Sequence, residues 1–511
     1  MNMLRQEKPM MPKTSDSSGR PRMNTKRRTN RGLAAGLIVA MGLGVSGCTE
    51  DFTGINTNPN APTDVGVQYL LPAGIVNAVT SLLGTGFDRG TASVWVQHYA
   101  RLQYGSIDRY EIDGSFSDGL WAGLYTGAIV DFDAVVQKAA ERGNANQEAV
   151  GRILRAWMFH NMVDLWGNIP YSEALGGLAQ SNITPVYDDA QTIYSSLLAE
   201  LSAASSQIAP MNGLFPDVFR GTVGNPDLIF EGDMYKWQRF ANSLRLRMAM
   251  RIQSASEASS AISAGVFASS DDEAKLVWLG SPPNENPMAP AFIARPGDFR
   301  ISAAMVDALI EHNDPRLSIY ADPARETGEF RGMPNGMDDS HGIEFEQVSR
   351  VGKWFLRPST PTWIQSYAEV ALLQAEAAVR GYAGGDAAAL YEAGVRASME
   401  TYDVSSDDID AYLAQPLVAF ASDMDTQLQQ IAQQMWFALY DQGPEAWAYF
   451  RRADHPGLEA GPDNLNNNLI PVRLPYPQSE ESVNNANLSA AQSAQGLGPE
   501  PWNTRLFWDP S

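Results

Sequence analysis

TWIQSYAEVALLQAEAAVRGYAGGDAAALYEAGVRASMETY, residues 362–402, is the stretch whose reading decides the fold. It is rich in Ala, Leu, Glu and Gln, strong helix formers, and is broken once by the glycines between Gly381 and Gly385. The pattern predicts two helices folded back on each other. Working outward, the same 3.6-residue spacing recurs on both sides. Val150, Leu154, Trp157, Asn161 and Leu165 fall on one face, with Gly167, Asn168 and Pro170 as the stop. Trp237, Phe240, Leu244, Met248 and Ile252 make a second stripe, and Leu428, Ile431, Met435 and Leu439 a third. Ala190 to Ile208 predicts a further helix, with Asp188 and Asp189 at its N-terminal turn, where the helix dipole favours carboxylates.

Within the 362–402 stretch, Ala375, Gly381, Tyr391 and Ala393 fall at spacings similar to a tetratricopeptide helix pair, where small residues permit close packing. Residues 73–104 predict two more helices split by GTGFDRG, Gly84 to Gly90, which lacks the GK[ST] ending of a phosphate loop. Residues 281–300, the span 314–360 and the Pro/Asn-rich tail from Asn468 onward read as irregular, the tail wrapping over the helices. Strand signals are sparse. The expected class is all-α, with helix pairs in an α-solenoid arrangement and long loops.

Arg239, Arg245, Arg247 and Arg251 surround the Trp237 stripe. In so acidic a chain they read better as partners for carboxylates on neighbouring helices than as a ligand clamp. Trp157, Trp166, Trp237 and Trp436 lie on apolar faces and are expected in the core.

The N-terminal end carries an address. GLAAGLIVAMGLGVSG, Gly32 to Gly47, follows the basic cluster Lys26, Arg27, Arg28 and Arg31 and ends at Cys48, the only cysteine among 511 residues. The run is shorter than the roughly 20 apolar residues a spanning helix needs, so residues 1–47 read as a cleaved signal, with Met23 a candidate start. Val45, Ser46 and Gly47 before Cys48 resemble a lipobox. Cys48 is the expected lipidation site, carrying acyl chains at the head of a flexible tether, residues 48–65, ahead of a single helical domain, 66–511.

The net charge of −22 becomes more negative without residues 1–47, which hold nine basic and two acidic residues and leave 28 basic against 57 acidic. Such a surface disfavours nucleic acid and anionic headgroups, so the membrane is reached through the lipid alone. With Cys48 acylated, no disulfide or thiolate chemistry remains. His98, His160, His312, His341 and His455 lack HxH or HExxH spacing, so no metal or cofactor is expected.

Seven blocks, in order, carry a resemblance: CTEDFTGINTNPNAPTDV (48–65), RILRAWMFHNMVDLWGNIPYSEAL (152–175), DLIFEGDMYKWQRFANSLRLRMAMRI (227–252), NDPRL (313–317), SYAEVALLQAEAAVRG (366–381), QQMWFALYDQGPEAWAYFRR (433–452) and IPVRLPYPQSEESVNN (470–485). Together they resemble the SusD/RagB family of nutrient-binding outer-membrane lipoproteins across the mature chain. The resemblance implies four tetratricopeptide-like helix pairs and no enzymatic chemistry. It implies a glycan or peptide oligomer as ligand, glycan favoured, and a SusC-like TonB-dependent transporter over which the protein closes as a lid. Glu50 and Asp51 resemble a short surface-export signal, so the expected location is the outer membrane, facing outward. A lipid-anchored glycoside hydrolase and a tetratricopeptide scaffold are the competing readings.

Ligand contacts are expected on loops, where aromatics stack on sugar faces and polar groups bond hydroxyls. Three loops have that composition. The first holds Tyr104, Asp108, Arg109 and Tyr110, with Tyr104 and Tyr110 as a stacking platform, and lies where starch-binding members place part of their site. The second holds Asn284, Asn286, Phe299 and Arg300, and the third Phe330, Arg331 and Trp354.

Overall fold

The computed structural model describes residues 65–176, 182–215, 225–295 and 297–509. The signal segment, Cys48 and the tether up to Asp64 lie outside the described residues. From Val65 on the chain belongs to one compact unit.

The first helix, α1 (Val67–Leu82), packs on a long apolar helix, α2 (Asp118–Glu141), whose second turn widens into a π-helical stretch, Gly123–Ile129. By length and composition α2 is able to cross a bilayer; here Phe132, Val135 and Ala139 are buried. Gly74 of α1 faces Phe132 so closely that a Cβ would sit 2.7 Å from the ring. α3 (Ala145–Trp166) starts at Asn144, whose side chain accepts from Gln147 N, and stops at Gly167 (φ 82°), a left-handed position suited to glycine. α4 (Ala190–Gln207) is capped by Asp189, while Asp188 turns back to accept from the Tyr171 and Ser172 N–H groups.

α5 (Met234–Arg251) packs against α4 and α6 (Ala255–Ala264) and carries the four arginines. Each finds a carboxylate: Arg239 with Asp272, Arg245 with Glu257 at 3.6 Å, Arg247 with Glu369 at 2.6 Å and Arg251 with Glu445 at 2.6 Å. The last two pairs tie α5 to α9 (Tyr367–Val379) and α13 (Gly443–Ala453), so these arginines are cross-links between helices.

The opening stretch forms the expected pair. α9 packs back on α10 (Ala387–Glu400), and the two come close together at Gly394, whose absent Cβ would lie 2.6 Å from Leu372 Cγ. Tyr391 sends its hydroxyl to Val418 O at 3.0 Å, and α12 (Met424–Ala438) packs on both helices. Asp314 and Arg316 of NDPRL form a fully buried pair at 2.6 Å, and Arg316 also donates to Gln434 on α12 and Ser398 on α10. Trp157, Trp166, Trp237 and Trp436 are buried, as expected.

Three expectations are corrected. The second helix of residues 73–104 shrinks to a π turn (Asp88–Ala92) and one α turn (Ser93–Trp95); the chain then extends as β1 (Tyr99–Arg101). Its partner, β3 (Phe299–Ile301), is about 200 residues on, antiparallel with Tyr99 opposite Ile301, so no local pattern announces the pairing. The Pro-rich 281–300 loop contains a short helix, α7 (Met288–Ala294). The tail is also not wholly irregular: it folds α14 (Gln478–Val483) and α15 (Asn485–Ala494). It does strap the helices: Leu474 N donates to Leu165 O at 2.8 Å, Trp166 Nε1 to Pro475 O at 2.8 Å and Trp447 Nε1 to Pro471 O at 2.9 Å.

Candidate functional site

The β1–β3 ladder joins the first two candidate loops. Leu102 N extends the ladder to Asp298 O, and the chain then breaks out at Tyr104, which takes a left-handed φ of 58°. That turn throws the phenol ring into solvent, 60% exposed, with the Arg295 guanidinium 5.1 Å from its centroid. Arg295 is held by Asp298 at 2.8 Å. Gly105 follows because a Cβ there would meet Met337 O at 2.8 Å, and its N–H donates to Asp339 Oδ1 at 3.0 Å.

A third segment completes the face. His341 Nε2 donates to Leu102 O at 3.1 Å while its Nδ1 accepts from Ile343 N at 2.8 Å, which fixes the ring. Phe345, 40% exposed, lies across Gly297, where a Cβ would come within 2.5 Å of its ring, and 5.4 Å from the Arg300 guanidinium. Tyr104 and Phe345 are thus two exposed rings held by the same 295–300 segment, Tyr104 beside Arg295 and Phe345 beside Gly297 and Arg300, and Arg101 lies over the Phe299 ring of that segment at 3.9 Å.

Several predicted residues are supports. Asp108 is buried; its carboxylate accepts from Arg101 N and from Asn335 Nδ2, both at 2.9 Å, and burial pushes it up to about 6. Tyr110 is 2% exposed and packs edge-on against Trp95 at 6.4 Å, so the two-tyrosine platform reduces to Tyr104. Arg109 is half-buried, tying the loop to the segment just before the tail through Asp463 O at 2.7 Å. Arg300 is buried and donates to Phe299 O at 3.0 Å, and burial lowers its pKa to about 10.

The second loop divides. Asn284 is exposed at a tight turn, and Asn286 is buried, accepting from Met288 N and donating to Thr360 O, both at 2.8 Å. These two lie against the 358–360 segment, away from the ladder. Phe330 is half-buried; Arg331 is exposed and its backbone pairs with Ser349. Trp354 packs on Trp363 and Tyr402. Arg295 and Phe345 escaped the sequence reading because both lie where no periodicity operates; for Arg295 the available signal was its place in ARPGDFR, four residues before the candidate Phe299. No group of metal-ligating side chains is found among the described residues.

Helix pairs carrying a loop-built aromatic face define an all-α protein of the SusD type, and the comparisons agree. The chain belongs to the SusD-like family described as "Starch-binding associating with outer membrane", which it matches over residues 59–477. Among solved structures it is similar to a chitin-binding protein (27% identity, TM-score 0.73, covering 86% of this chain and 100% of that one). It is also similar to a chitin-binding SusD homolog from Flavobacterium johnsoniae (25%, 0.74, 86% and 99%). A SusD homolog from Bacteroides fragilis shares the fold (24%, 0.74, 88% and 100%). A comparison with curated proteins found no match.

Proposed function

We propose that this protein is an outer-membrane lipoprotein that captures extracellular glycan oligomers and passes them to a SusC-like TonB-dependent transporter. The observation that carries the reading is the exposed Tyr104 ring with Arg295 beside it and a second exposed ring, Phe345, against Gly297 two residues further along the same segment. A ring face, a fork of guanidinium donors and a second ring are the complement of a sugar, which has an apolar face and a hydroxyl rim. The chitin-binding relatives support glycan over peptide as the ligand. No bond is made or broken in this role: the ligand docks, is enclosed and is released inward.

The lid role is supported by the family's association with the outer membrane and by the lipobox at Cys48, which leads through a short tether to α1. A glycan array on the protein lacking residues 1–48 tests the ligand class. Peptide binding with no glycan signal refutes the glycan reading. Pull-down from outer-membrane extracts tests the partner, since a lid must bring down a TonB-dependent barrel.

A further inference from the structure

Outside the face just described, a second aromatic cleft opens beside another two-stranded ladder. Trp354, on the turn Lys353–Leu356, and Trp363, on β6 (Thr362–Gln365), stack with centroids 5.9 Å apart and planes 27° off parallel. Both are half-buried, and with Ser270, Lys275, Glu400 and Thr401 they line a cavity of about 270 Å³. The framework is rigid: β6 pairs with β2 (Ala274–Leu276), Lys275 standing opposite Trp363, and Thr360 Oγ1 donates to Trp354 O at 2.8 Å.

The chemistry of the rim selects the occupant. Trp363 Nε1 donates to Glu273 Oε2 at 2.9 Å, and the same carboxylate takes Lys275 Nζ at 3.3 Å and Tyr367 N at 3.1 Å. Glu273 is therefore occupied by three donors, one of them the Lys275 cation, and the indole has its polar need met from within. What remains toward the cavity is indole surface, spare donors on Lys275, the exposed Glu400 carboxylate and the Ser270 hydroxyl. Two cations stand at the rings, Lys275 Nζ 5.7 Å from the Trp363 centroid and Arg357 4.5 Å from that of Trp354, but the Glu273 and Glu400 carboxylates match them in number, so the rim carries no net positive charge for an anionic ligand and the open cleft has no enclosed apolar depth for a lipid-like one. A flat aromatic wall with mixed donors and acceptors around it fits a neutral sugar ring.

We infer that the Trp354–Trp363 cleft is a second saccharide-binding site, separate from the Tyr104 face; the inference rests on the glycan reading of the protein. Two separated contacts on one glycan-binding body raise its avidity for a long chain without new contacts at the first site.

Calorimetry on the full-length protein in detergent, with chitotriose and maltotriose as probes, tests this. Two binding events are expected for at least one probe. Trp363→Ala should weaken one of them at least tenfold. Ser270→Trp, an exposed change that fills the cleft without removing a packed side chain, should abolish that same event and leave the other unaltered. Tyr104→Ala should affect only the other. A single event that Tyr104→Ala removes and Ser270→Trp leaves intact overturns the second site while the first stands. A single event lost in Ser270→Trp and indifferent to Tyr104→Ala overturns the first and keeps the second. Binding of neither probe by the unaltered protein overturns both.

Discussion

Tyr104 and Tyr110 sit six positions apart on one loop, and both take a left-handed φ, yet one ring is in water and the other in the core. They predict opposite phenotypes. Tyr104→Ala should cost about 1 to 3 kcal/mol of glycan affinity, by analogy with aromatic stacking on bases, and leave thermal stability unchanged. Tyr110→Ala should lower unfolding stability by about 3 kcal/mol, the usual scale for deleting a buried aromatic ring. Calorimetry and denaturant unfolding separate the two, and a stable Tyr110→Ala protein that has lost its ligand would reverse the assignment. Sequence showed that this loop was rich in site-forming residue types. It did not show which way each ring faced, because that depends on the packing of Trp95 and on Asn335 and Asp339, brought in from a remote part of the chain.

At the scale of elements, Glu376 on α9 holds two helices together. Burial alone would raise its pKa, but Arg452 on α13, at 2.6 Å, and Arg380, at 2.8 Å, drive it down to about 2. A carboxylate depressed in the folded state contributes stability that is complete above its ordinary value near 4.5 and is lost as pH falls toward 2. Glu376→Gln should therefore destabilise by about 3 to 5 kcal/mol at pH 7, since it strands a buried Arg452. The gap between variant and unaltered protein should narrow below pH 4.5 in acid-unfolding curves. Gly394→Val tests the α9–α10 contact: with Leu372 in the way, overpacking should cost about 1 to 3 kcal/mol, measured by urea denaturation. Helices α3, α4, α5, α9, α10 and α12 were legible because their apolar stripes are long. The three-residue strands were not, since so short a segment has no period to read. α15 was hidden for a related reason: only Leu488 and Ala491 of its ten residues are buried, too few to mark a face.

For the molecule as a whole, the proposed function gives Cys48 and the helical body separable duties. Cys48→Ser should leave glycan affinity unchanged while releasing the protein from the outer-membrane fraction when the transporter is absent; firm retention under those conditions would remove lipidation from the account. The tail straps carry a different consequence. Leu165 and Trp166 bond to residues some 309 positions later, and Gly443 donates to Asp88 across 355. Solenoids of stacked repeats close through neighbours and can begin folding anywhere, whereas here the first helices acquire their last partners only when residues 470–476 arrive. High contact order of this kind makes folding slow and late. On the proposed outer-membrane role the chain would cross an inner membrane unfolded, and there the delay is an asset: a chain whose closing stitch comes last stays loose until its final segment is free.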